Sequence, residues 1–427
     1  MALKKTSDVI CMVVDNSGLF LEYALRLARD FKKVYYHLFN EDSAPMPQPS
    51  YIGYGMDEIE VVHSYHGDHF DAVDLICYPS VGLGYYQWEA QHKYGKATWG
   101  TGLAEELELN REKAIGVFKE IGLPTAPSKP VVGVDALRKY LVDHKEVYIK
   151  VSKWRGLIET FRSFNIKNSD LILDAVAYKL GPLKTVIPFL VEERLKDKVE
   201  IGTDPSVVDG KYAKFVSCGL EIKNRGYFTK IREYKNIPKP LQEVNDKLAP
   251  VLKDYDMRGD FCTEVRVGKD GKPYLIDLTM RQGVPPGELL QEMDTNIAER
   301  VWQGANGVLV DMKPVAKYGI EIMMTSERLL FKEPQAIYFP EEHRKNIKLH
   351  SCVKIDGTYT VLPLDYDGDE TAGAVVGWGS SIDDAAKMVK EAAKSIEGQS
   401  LEIDVKNIVQ EIEEELEKAD KMGMSMV

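Results

Sequence analysis

The chain has 427 residues, of which 44% are hydrophobic and 29% charged, and its formal net charge is −12. This length predicts two to four packed units, because a single hydrophobic core stops growing well before it. No apolar run approaches the roughly 20 residues that a membrane-spanning helix needs. The acidic balance argues against a nucleic-acid scaffold, since binding a phosphate backbone takes a concentrated basic face.

The cysteines and the first residues indicate the cellular compartment. The cysteines are scattered, odd in number and never arranged as CxxC, which predicts buried thiols in a reducing environment rather than a disulfide framework. The segment leading into Val9–Val14 lacks the pattern of a signal peptide. We therefore expect a cytoplasmic protein with no membrane association. The cysteines are Cys11, Cys77, Cys218, Cys262 and Cys352.

Residues 8–105 alternate between extended and helical patterns. Strands are predicted over Val9–Val14, Lys33–Leu38 and Ala72–Tyr78, and a helix over Leu19–Phe31. Strands that alternate with helices and end in glycine- and serine-rich turns are typical of an open parallel sheet with loops at its carboxyl edge. No complete GxGxxG motif is present, so the pattern does not predict a dinucleotide site.

The rest of the chain mixes helical and extended patterns without an internal repeat. A helix before Pro124 must end there, because proline cannot continue it. The last segment is rich in glutamate and keeps apolar residues at helical spacing, which predicts an amphipathic helix with a solvated acidic face. The predicted elements are helices over Asn110–Gly122, Leu289–Gly304 and Ser381–Ile396, strands over Val147–Ser152 and Phe189–Arg194, and mainly β-like runs over 318–400.

One predicted hairpin brings two acids together. The strand-like segments Phe261–Val267 and Tyr274–Met280 flank an Asp-Gly pair at 270–271, a strong signal for a type I′ turn. A two-residue turn there places Glu264 directly opposite Asp277, where like charges destabilise a sheet. The pair therefore needs a cation or a shared proton, and such oxygen ligands suit Mg²⁺. The alternative is two solvated acids on an exposed face.

Charged residues in four separated segments point to one chemistry. Lysines can neutralise phosphates, and acids can bridge metal ions to the same phosphates or hold an adenine amino group and ribose hydroxyls. Taken singly, each residue has the alternative of being an ordinary exposed charge, but their joint order favours a nucleotide site. These residues are Lys113, Lys150, Glu192, Glu193, Glu200, Glu264, Asp277, Thr279 and Arg281.

Five segments in this order resemble the ATP-grasp superfamily, and most closely the phosphoribosylamine–glycine ligases. Asn110–Ala126 is similar to the family's helix and GIPTA segment, and Val147–Val151 to its VIKA strand. Leu190–Leu195 matches the VEEFL hinge, and Leu275–Gly283 stands where the family has LEFNxRFG. Ala374–Ala386 is similar to a late turn and helix. The ordered set covers residues from about 8 to 400.

The resemblance implies a role for each charged residue. Lys113 and Lys150 would contact ATP phosphates, Glu192 and Glu193 would hold adenine, Glu200 the ribose, and Glu264 and Asp277 would bind Mg²⁺ or Mn²⁺. Arg281, with Lys150, would neutralise the transferring phosphoryl group. In such enzymes a carboxylate attacks the γ-phosphate to give an acylphosphate, and an amine then displaces phosphate; catalysis is mostly positioning and charge neutralisation.

The chain departs from the family in three places. The glycine-rich phosphate loop is replaced by 152–159, where Lys153 or Arg155 would replace backbone amides as phosphate donors. Thr279 stands where an asparagine metal ligand is usual. The family's substrate segment is replaced by Ser217–Lys230, and FGDPE by Gln282–Glu288. The anionic-substrate contacts, assigned by position only, are Lys223, Arg225 and Lys230.

The resemblance therefore predicts an ATP-grasp fold of class α/β (α+β). The expected parts are an N-terminal open parallel-sheet domain (1–108), an ATP-grasp region (109–312, with a lid at about 124–190 and a larger subdomain at 191–312), a C-terminal α/β domain (313–402) and an acidic helix and tail (403–427). The expected activity is an ATP- and Mg²⁺-dependent, ADP-forming carboxylate–amine ligase with altered substrates, as a monomer or homodimer. The alternatives are phosphoribosylamine–glycine ligase itself and a non-catalytic nucleotide-binding protein.

Overall fold

A computed structural model of the chain describes residues 3–39, 48–151, 160–196, 198–364 and 370–426. The first part is an alternation of strands and helices. Its elements are β1 (Ile10–Asp15), α1 (Leu21–Ala28), β2 (Lys33–Leu38), β3 (Glu60–Val61), α2 (Asp68–Ala72), β4 (Leu75–Tyr78), α3 (Gly84–His92), β5 (Ala97–Gly100) and α4 (Glu106–Leu109). The five strands pair in parallel in the order β3-β2-β1-β4-β5, which confirms the predicted parallel sheet.

The second part is a small sheet with two helices packed on it. Its elements are α5 (Arg111–Glu120), β6 (Ser128–Val132), α6 (Val134–Asp143), β7 (Val147–Val151), β8 (Thr160–Ser163), α7 (Ile166–Leu180) and β9 (Pro188–Glu193). The strands are antiparallel in the order β6-β9-β7-β8. Apolar residues of α6 and α7, such as Leu137 and Leu173, pack against β7 and β9 in a separate core.

The third part supplies most of a large antiparallel sheet. Its elements are β10 (Val199–Asp204), β11 (Ser206–Val208), β12 (Lys211–Tyr212), β13 (Phe215–Ile222), β14 (Gly226–Glu233), α8 (Lys239–Asp254), β15 (Arg258–Asp260), β16 (Cys262–Val267), β17 (Pro273–Thr279), α9 (Gly287–Met293) and α10 (Ile297–Ala305). The helix predicted over Leu289–Gly304 is thus two helices. Asp294 separates them, and its side chain accepts a hydrogen bond from the Asn296 amide at 3.0 Å.

The last part completes this sheet. Its elements are β18 (Tyr318–Ser326), α11 (Glu327–Leu330), β19 (Gln335–Ile337), β20 (Ile347–Leu349), β21 (Cys352–Ile355), β22 (Thr358–Val361), β23 (Thr371–Gly379), α12 (Ile382–Lys394), β24 (Leu401–Glu402) and α13 (Val405–Lys421). The large sheet has the order β17-β16-β10-β13-β14-β18-β23-β20, with β24 paired to β18. No helix among the described residues is both long and apolar enough to cross a membrane.

Some strands of the third part pair with the sheet of the first part. β15 pairs with β5, and β11 and β12 follow it, so the parallel N-terminal sheet gains three antiparallel strands from the third part. β19, β21 and β22 form a separate three-stranded sheet. The sheets therefore do not follow the sequence order of the expected domains, whose limits stay a prediction.

The two faces of the large sheet have different neighbours. Alternate residues of its strands, such as Ile201, Leu220 and Val265, are buried in one core with residues of α8, α12 and α13. Because side chains alternate between faces along a strand, the intervening residues lie on the opposite face. That opposite face carries Glu200, Glu221, Glu264 and Asp277, and we call it the acidic face.

Candidate functional site

Glu264 and Asp277 lie opposite each other on β16 and β17, as the sequence predicts. Their side chains retain 24% and 27% of their accessible surface. Both belong to the acidic face, so neither is covered by the helices of the opposite face. The hairpin therefore presents two partly exposed carboxylates side by side.

The turn of this hairpin differs from the prediction. Val267 pairs with Pro273, so the connection has five residues, and the Gly271 amide donates to the Gly268 carbonyl at 2.9 Å. Of the Asp-Gly pair only Gly271 has a positive φ, 68°, whereas a type I′ turn needs two such residues. The type I′ prediction is wrong.

A β-bulge restores the predicted pairing of the acids. The register of the ladder shifts between Glu264 and Val265, and Ile276 is the extra residue on β17. A bulge leaves its extra residue unpaired in the ladder. The Ile276 carbonyl accepts a hydrogen bond from Lys150 Nζ at 2.6 Å instead. The bulge thus connects the acid-bearing hairpin to β7 of the small four-stranded sheet.

Glu264 lies among more negative than positive groups. The pKa of Glu264 is raised to about 8. Burial is the largest cause, the charge of Lys223 lowers the pKa, and the carboxylates of Glu221, Glu200 and Asp277 raise it. Lys223 Nζ is 3.7 Å from Glu264 and 3.3 Å from Glu221. Additional positive charge at this position would therefore stabilise the ionised carboxylate.

Asp277 has closer cations. Burial alone would raise the pKa of Asp277, but the charges of Arg111, Lys150 and Lys223 hold it well below its usual range. Arg111 Nη1 donates to Asp277 at 3.1 Å. Sequence reasoning missed Arg111, although it starts the helix that carries Lys113. The two acids therefore have different electrostatic surroundings, one deficient in positive charge and one supplied with it.

Lys113 lies elsewhere on that helix. It forms an ion pair with Glu106, and its side chain is 42% exposed. Helix residues two apart do not share a face, so Arg111 faces Asp277 while Lys113 does not. The role of Lys113 at ATP phosphates stays a prediction, and Lys153 and Arg155 lie outside the described residues.

The small four-stranded sheet contributes one buried ion pair to the site. Lys150 Nζ lies 3.1 Å from Glu192, and both side chains are nearly buried. The two residues sit on neighbouring strands, β7 and β9. Glu193 is exposed, and its amide donates to the Pro127 carbonyl at 2.9 Å. The structure therefore places Lys150 beside the acid pair, with Glu192 behind it.

Glu200 and Arg281 complete the predicted nucleotide residues. Glu200 pairs across the sheet with Arg266, whose guanidinium lies 2.8 Å away. Arg281 Nε donates to Glu108 at 3.2 Å, and the other Glu108 oxygen accepts the Met280 amide at 2.6 Å. Glu108, which sequence reasoning missed, thus positions the chain directly after β17.

Thr279 lies two residues beyond Asp277 on β17 and therefore on the same face. It is partly exposed and pairs with Cys262 across the ladder. Its predicted role as a metal ligand stays a prediction. The position is consistent with a ligand beside the acid pair.

The three cations predicted to bind an anionic substrate do not form one cluster. Lys223 lies beside Glu264, as described above, but Arg225 forms an ion pair with Glu411 of α13. Lys230 is buried on the helix-covered face, with its Nζ 5.4 Å from the Tyr318 ring centroid. Burial lowers the pKa of Lys230. Lys223 and Arg225 lie in the turn between β13 and β14, whereas Lys230 lies within β14.

No protein-family model and no curated protein matches the chain, but solved structures do. Phosphoribosylamine–glycine ligase from Thermotoga maritima matches with a TM-score of 0.69 at 16% identity, over 92% of this chain and 99% of that one. The biotin carboxylase domain of Hydrogenobacter thermophilus 2-oxoglutarate carboxylase, in complex with MgADP and bicarbonate, matches with 0.65 at 13%, over 97% and 98%. N5-carboxyaminoimidazole ribonucleotide synthetase from Thermus thermophilus matches with 0.59 at 11%, over 90% and 98%.

These similarities define the class of fold. The chain has the ATP-grasp fold, as the sequence resemblance predicts. Within it, the chain is similar over nearly the whole length of each of these structures, so the likeness includes the N-terminal and C-terminal parts and not the central region alone.

Proposed function

We propose that the protein is an ATP- and Mg²⁺-dependent, ADP-forming ligase that joins a carboxylate to an amine. The single observation that carries the proposal is the opposition of Glu264 and Asp277 on the acidic face of the large sheet, with Lys150, Arg111 and Lys223 around them. This combination of paired oxygen ligands and nearby cations suits a metal-bound triphosphate.

The donor set fits Mg²⁺. Two carboxylates offer hard oxygen atoms, and Thr279 adds a hydroxyl on the same face. The raised pKa of Glu264 reflects burial and a local excess of carboxylates, which a divalent cation would offset. When bound, Mg²⁺ would neutralise charge on the phosphates and align them. Glu264 and Asp277 would hold it, with Thr279 as a further ligand.

The surrounding cations would hold the nucleotide. Lys150 and Arg111 already direct positive charge at Asp277, and Lys150 comes from the lid sheet, where it can follow the lid toward the phosphates. Arg281 lies just beyond β17 and is held by Glu108, in position to neutralise the transferred phosphoryl group. Glu192, Glu193 and Glu200 remain the proposed adenine and ribose contacts.

The proposed reaction has two steps. An oxygen of the substrate carboxylate attacks the γ-phosphorus of ATP; the bond from that phosphorus to the β–γ bridging oxygen breaks, and ADP leaves. The amine nitrogen then attacks the acyl carbon, the acyl carbon–oxygen bond to phosphate breaks, and the nitrogen loses a proton. Inorganic phosphate and an amide are the products. The protein's contribution is positioning and charge neutralisation.

The similar structures support this activity by analogy. They include a phosphoribosylamine–glycine ligase and a biotin carboxylase domain solved with MgADP and bicarbonate. The replaced substrate segments, Ser217–Lys230 and Gln282–Glu288, favour different substrates from those of the ligase. Cytoplasmic location and a monomeric or homodimeric state remain part of the proposal.

The test measures ADP release from MgATP with a panel of carboxylates and primary amines. We expect repeated turnover to ADP only when both an acid and an amine are present, with an amide as product, because the acid alone would give at most one ADP per enzyme while the acylphosphate stays bound. Glycine with phosphoribosylamine belongs in the panel, because turnover of that pair would assign the alternative of phosphoribosylamine–glycine ligase itself. If ATP binds but no acid stimulates ADP release, the ligase proposal fails and a non-catalytic nucleotide-binding protein remains.

A further inference from the structure

A cavity on the acidic face lies next to the acid pair. Between the ends of β10 and β13 on one side and α9 and α10 on the other lies a small cavity of about 50 Å³. That volume has room for a few water-sized groups, since one such group takes about 10–15 Å³. The lining residues that matter for its chemistry are Asp204, Ser217, Asp260, Gln291, Asp294 and Arg300. We call it the Asp204 cavity.

The cavity is lined by more negative than positive side chains. Three of its residues are aspartates and one, Arg300, is a cation. That cation is already engaged, since Arg300 Nε lies 2.8 Å from Asp294 and Nη1 lies 3.1 Å from Asp260. The third aspartate, Asp204, has no share in this ion pair network. The positive charge in the cavity is therefore used by two of the three carboxylates.

Asp204 is held in place by hydroxyl groups. Its Oδ2 accepts hydrogen bonds from Ser217 Oγ and from the Tyr227 hydroxyl, both at 2.6 Å. Burial raises the pKa of the Asp204 carboxyl. The two hydroxyls and the neighbouring Cys262 thiol are neutral groups, so they orient the carboxylate without neutralising it. A cationic donor would supply the missing charge.

A buried amide oxygen provides an independent indication of a ligand. Gln291 is 2% exposed and lines the cavity. Its Nε2 donates to Gln282 at 3.0 Å, whereas its Oε1 has no hydrogen-bond partner among the described residues. A buried acceptor without a partner is costly. The cavity thus offers an amide oxygen in need of an N–H or O–H donor.

The cavity lies close to the acid pair. Cys262 lines the cavity and lies two residues before Glu264 on β16. Two residues of a strand span about 7 Å, and both side chains are on the acidic face. A ligand of a few heavy atoms in the cavity can therefore reach toward an acyl group held beside the acid pair.

We propose that the Asp204 cavity binds the amine substrate as an ammonium cation, with the carboxylate of Asp204 and Oε1 of Gln291 accepting its N–H groups. The ammonium gives one proton to water before the lone pair of its nitrogen attacks the acyl carbon. The inference that the bound amine is a substrate rests on the proposed ligase function. The inference that the cavity binds a cation does not. It differs from the sequence prediction, which assigned Lys223, Arg225 and Lys230 to an anionic substrate. The two assignments concern different regions of the sheet.

The experiment measures binding without ATP, so that it does not depend on turnover. Methylammonium, ethanolamine, glycinamide and 1,4-diaminobutane are titrated into the full chain by calorimetry, beside neutral analogues such as acetamide and 1,4-butanediol. We expect at least one amine to bind at least about tenfold more tightly than its neutral analogue, since hydrogen bonds to charged groups are about twice as strong as neutral ones.

Two variants locate the binding. Asp204→Asn keeps the shape and the hydroxyl contacts but removes the charge, and we expect at least a tenfold loss of amine affinity. Gln291→Met removes the amide acceptor and should weaken binding severalfold. The matched control is Asp246→Asn, because Asp246 also accepts a tyrosine hydroxyl, from Tyr234 at 2.7 Å, but is exposed and outside the cavity. It should bind like the wild type.

Several outcomes would overturn the proposal. They are no amine binding above the neutral analogues, equal binding in Asp204→Asn and wild type, or equal competition by K⁺ or Mg²⁺ alone, which would assign the cavity to an inorganic cation. Binding of MgATP is measured on the same samples. Loss of MgATP binding with retained amine binding would reject the ligase function and leave the cation site standing.

Discussion

Two groups of buried charge differ in how completely the protein neutralises them. Where α1 and α9 meet β20, Lys348 is fully buried, with Glu292 at 2.6 Å and Glu22 at 3.6 Å. Arg344 lies 2.8 Å from Glu22. Burial by itself would raise the pKa of Glu292, yet Lys348 and Arg29 hold it at about 2. We call this group the Lys348 network.

Glu264 of the acid pair shows the opposite balance. Its pKa is raised to about 8, chiefly by burial, and Lys223 faces the three neighbouring carboxylates of Glu221, Glu200 and Asp277. Charges that serve the fold are matched by charges of the protein, since an unmatched buried charge is strongly destabilising. Partly exposed carboxylates with an incomplete set of cations are therefore the place to expect a ligand. Four experiments test this difference between the two groups.

The largest expected effect is on stability. Lys348→Met leaves Glu22 and Glu292 buried without their shared cation, and we expect it to lower the free energy of unfolding by about 3–5 kcal/mol. Urea denaturation followed by circular dichroism measures it. The control is Lys418→Met, which breaks an exposed pair with Glu415 and should cost less than about 1 kcal/mol. Equal effects would show that the Lys348 network does not stabilise the fold.

The second effect is on turnover. Asp277→Asn removes a proposed metal ligand, and we expect kcat/KM to fall at least about 100-fold, as for loss of a group that stabilises transferring charge, with little change in unfolding. Asp270→Asn is the matched control, because Asp270 lies in the turn of the same hairpin and pairs with Lys198 at 3.3 Å. Wild-type rates in Asp277→Asn would contradict the metal assignment.

The third effect separates two cations of one helix. Arg111 contacts Asp277 and Lys113 does not, so we expect Arg111→Gln to raise the KM for ATP about tenfold, one charge-assisted contact being worth on the order of 1.5 kcal/mol. Lys113→Gln should change it less than about threefold. Steady-state kinetics at saturating acid and amine distinguishes them. The reverse order would restore the sequence-based assignment of Lys113.

The smallest effect is a pH dependence in the Lys348 network. The pKa of Glu292, about 2 when folded, lies below its ordinary value of 4.5, so its stabilisation is present above about pH 4.5 and is lost as the pH falls toward 2. We expect the stability difference between wild type and Glu292→Gln to shrink by about 1 kcal/mol between pH 6 and 3.5. Urea midpoints at both pH values measure it. A pH-independent difference would show that Glu292 is not held ionised.

The sequence predicts the parts of this fold whose causes are local. The parallel strands, the helix that starts after Asn110 and the antiparallel hairpin follow from alternation, capping and turn residues within short segments. Asn110 caps its helix by accepting the Lys113 amide at 3.1 Å. The helix predicted over Leu289–Gly304 fails for a local reason of another kind, because Asp294 bonds the chain that follows it and ends the first helix.

The candidate site also has a part that local sequence predicts and a part that depends on tertiary structure. Opposition of Glu264 and Asp277 depends on one hairpin and was predictable, although the turn and the bulge that produce it were not. Arg111, Glu108 and Glu221 come from other elements, so no spacing in the sequence relates them to the hairpin. Their proximity is decided when the strands pair.

Local periodicity and ordered motifs were enough to predict most of the strands and helices, the opposition of the two acids and the resemblance to the ATP-grasp fold. Tertiary structure alone decided which cations face which acids, that β15 extends the N-terminal sheet, and that Asp204 and Gln291 line one cavity. These relations join residues far apart in the chain, and packing of whole sheets and helices, rather than any local preference, brings them together.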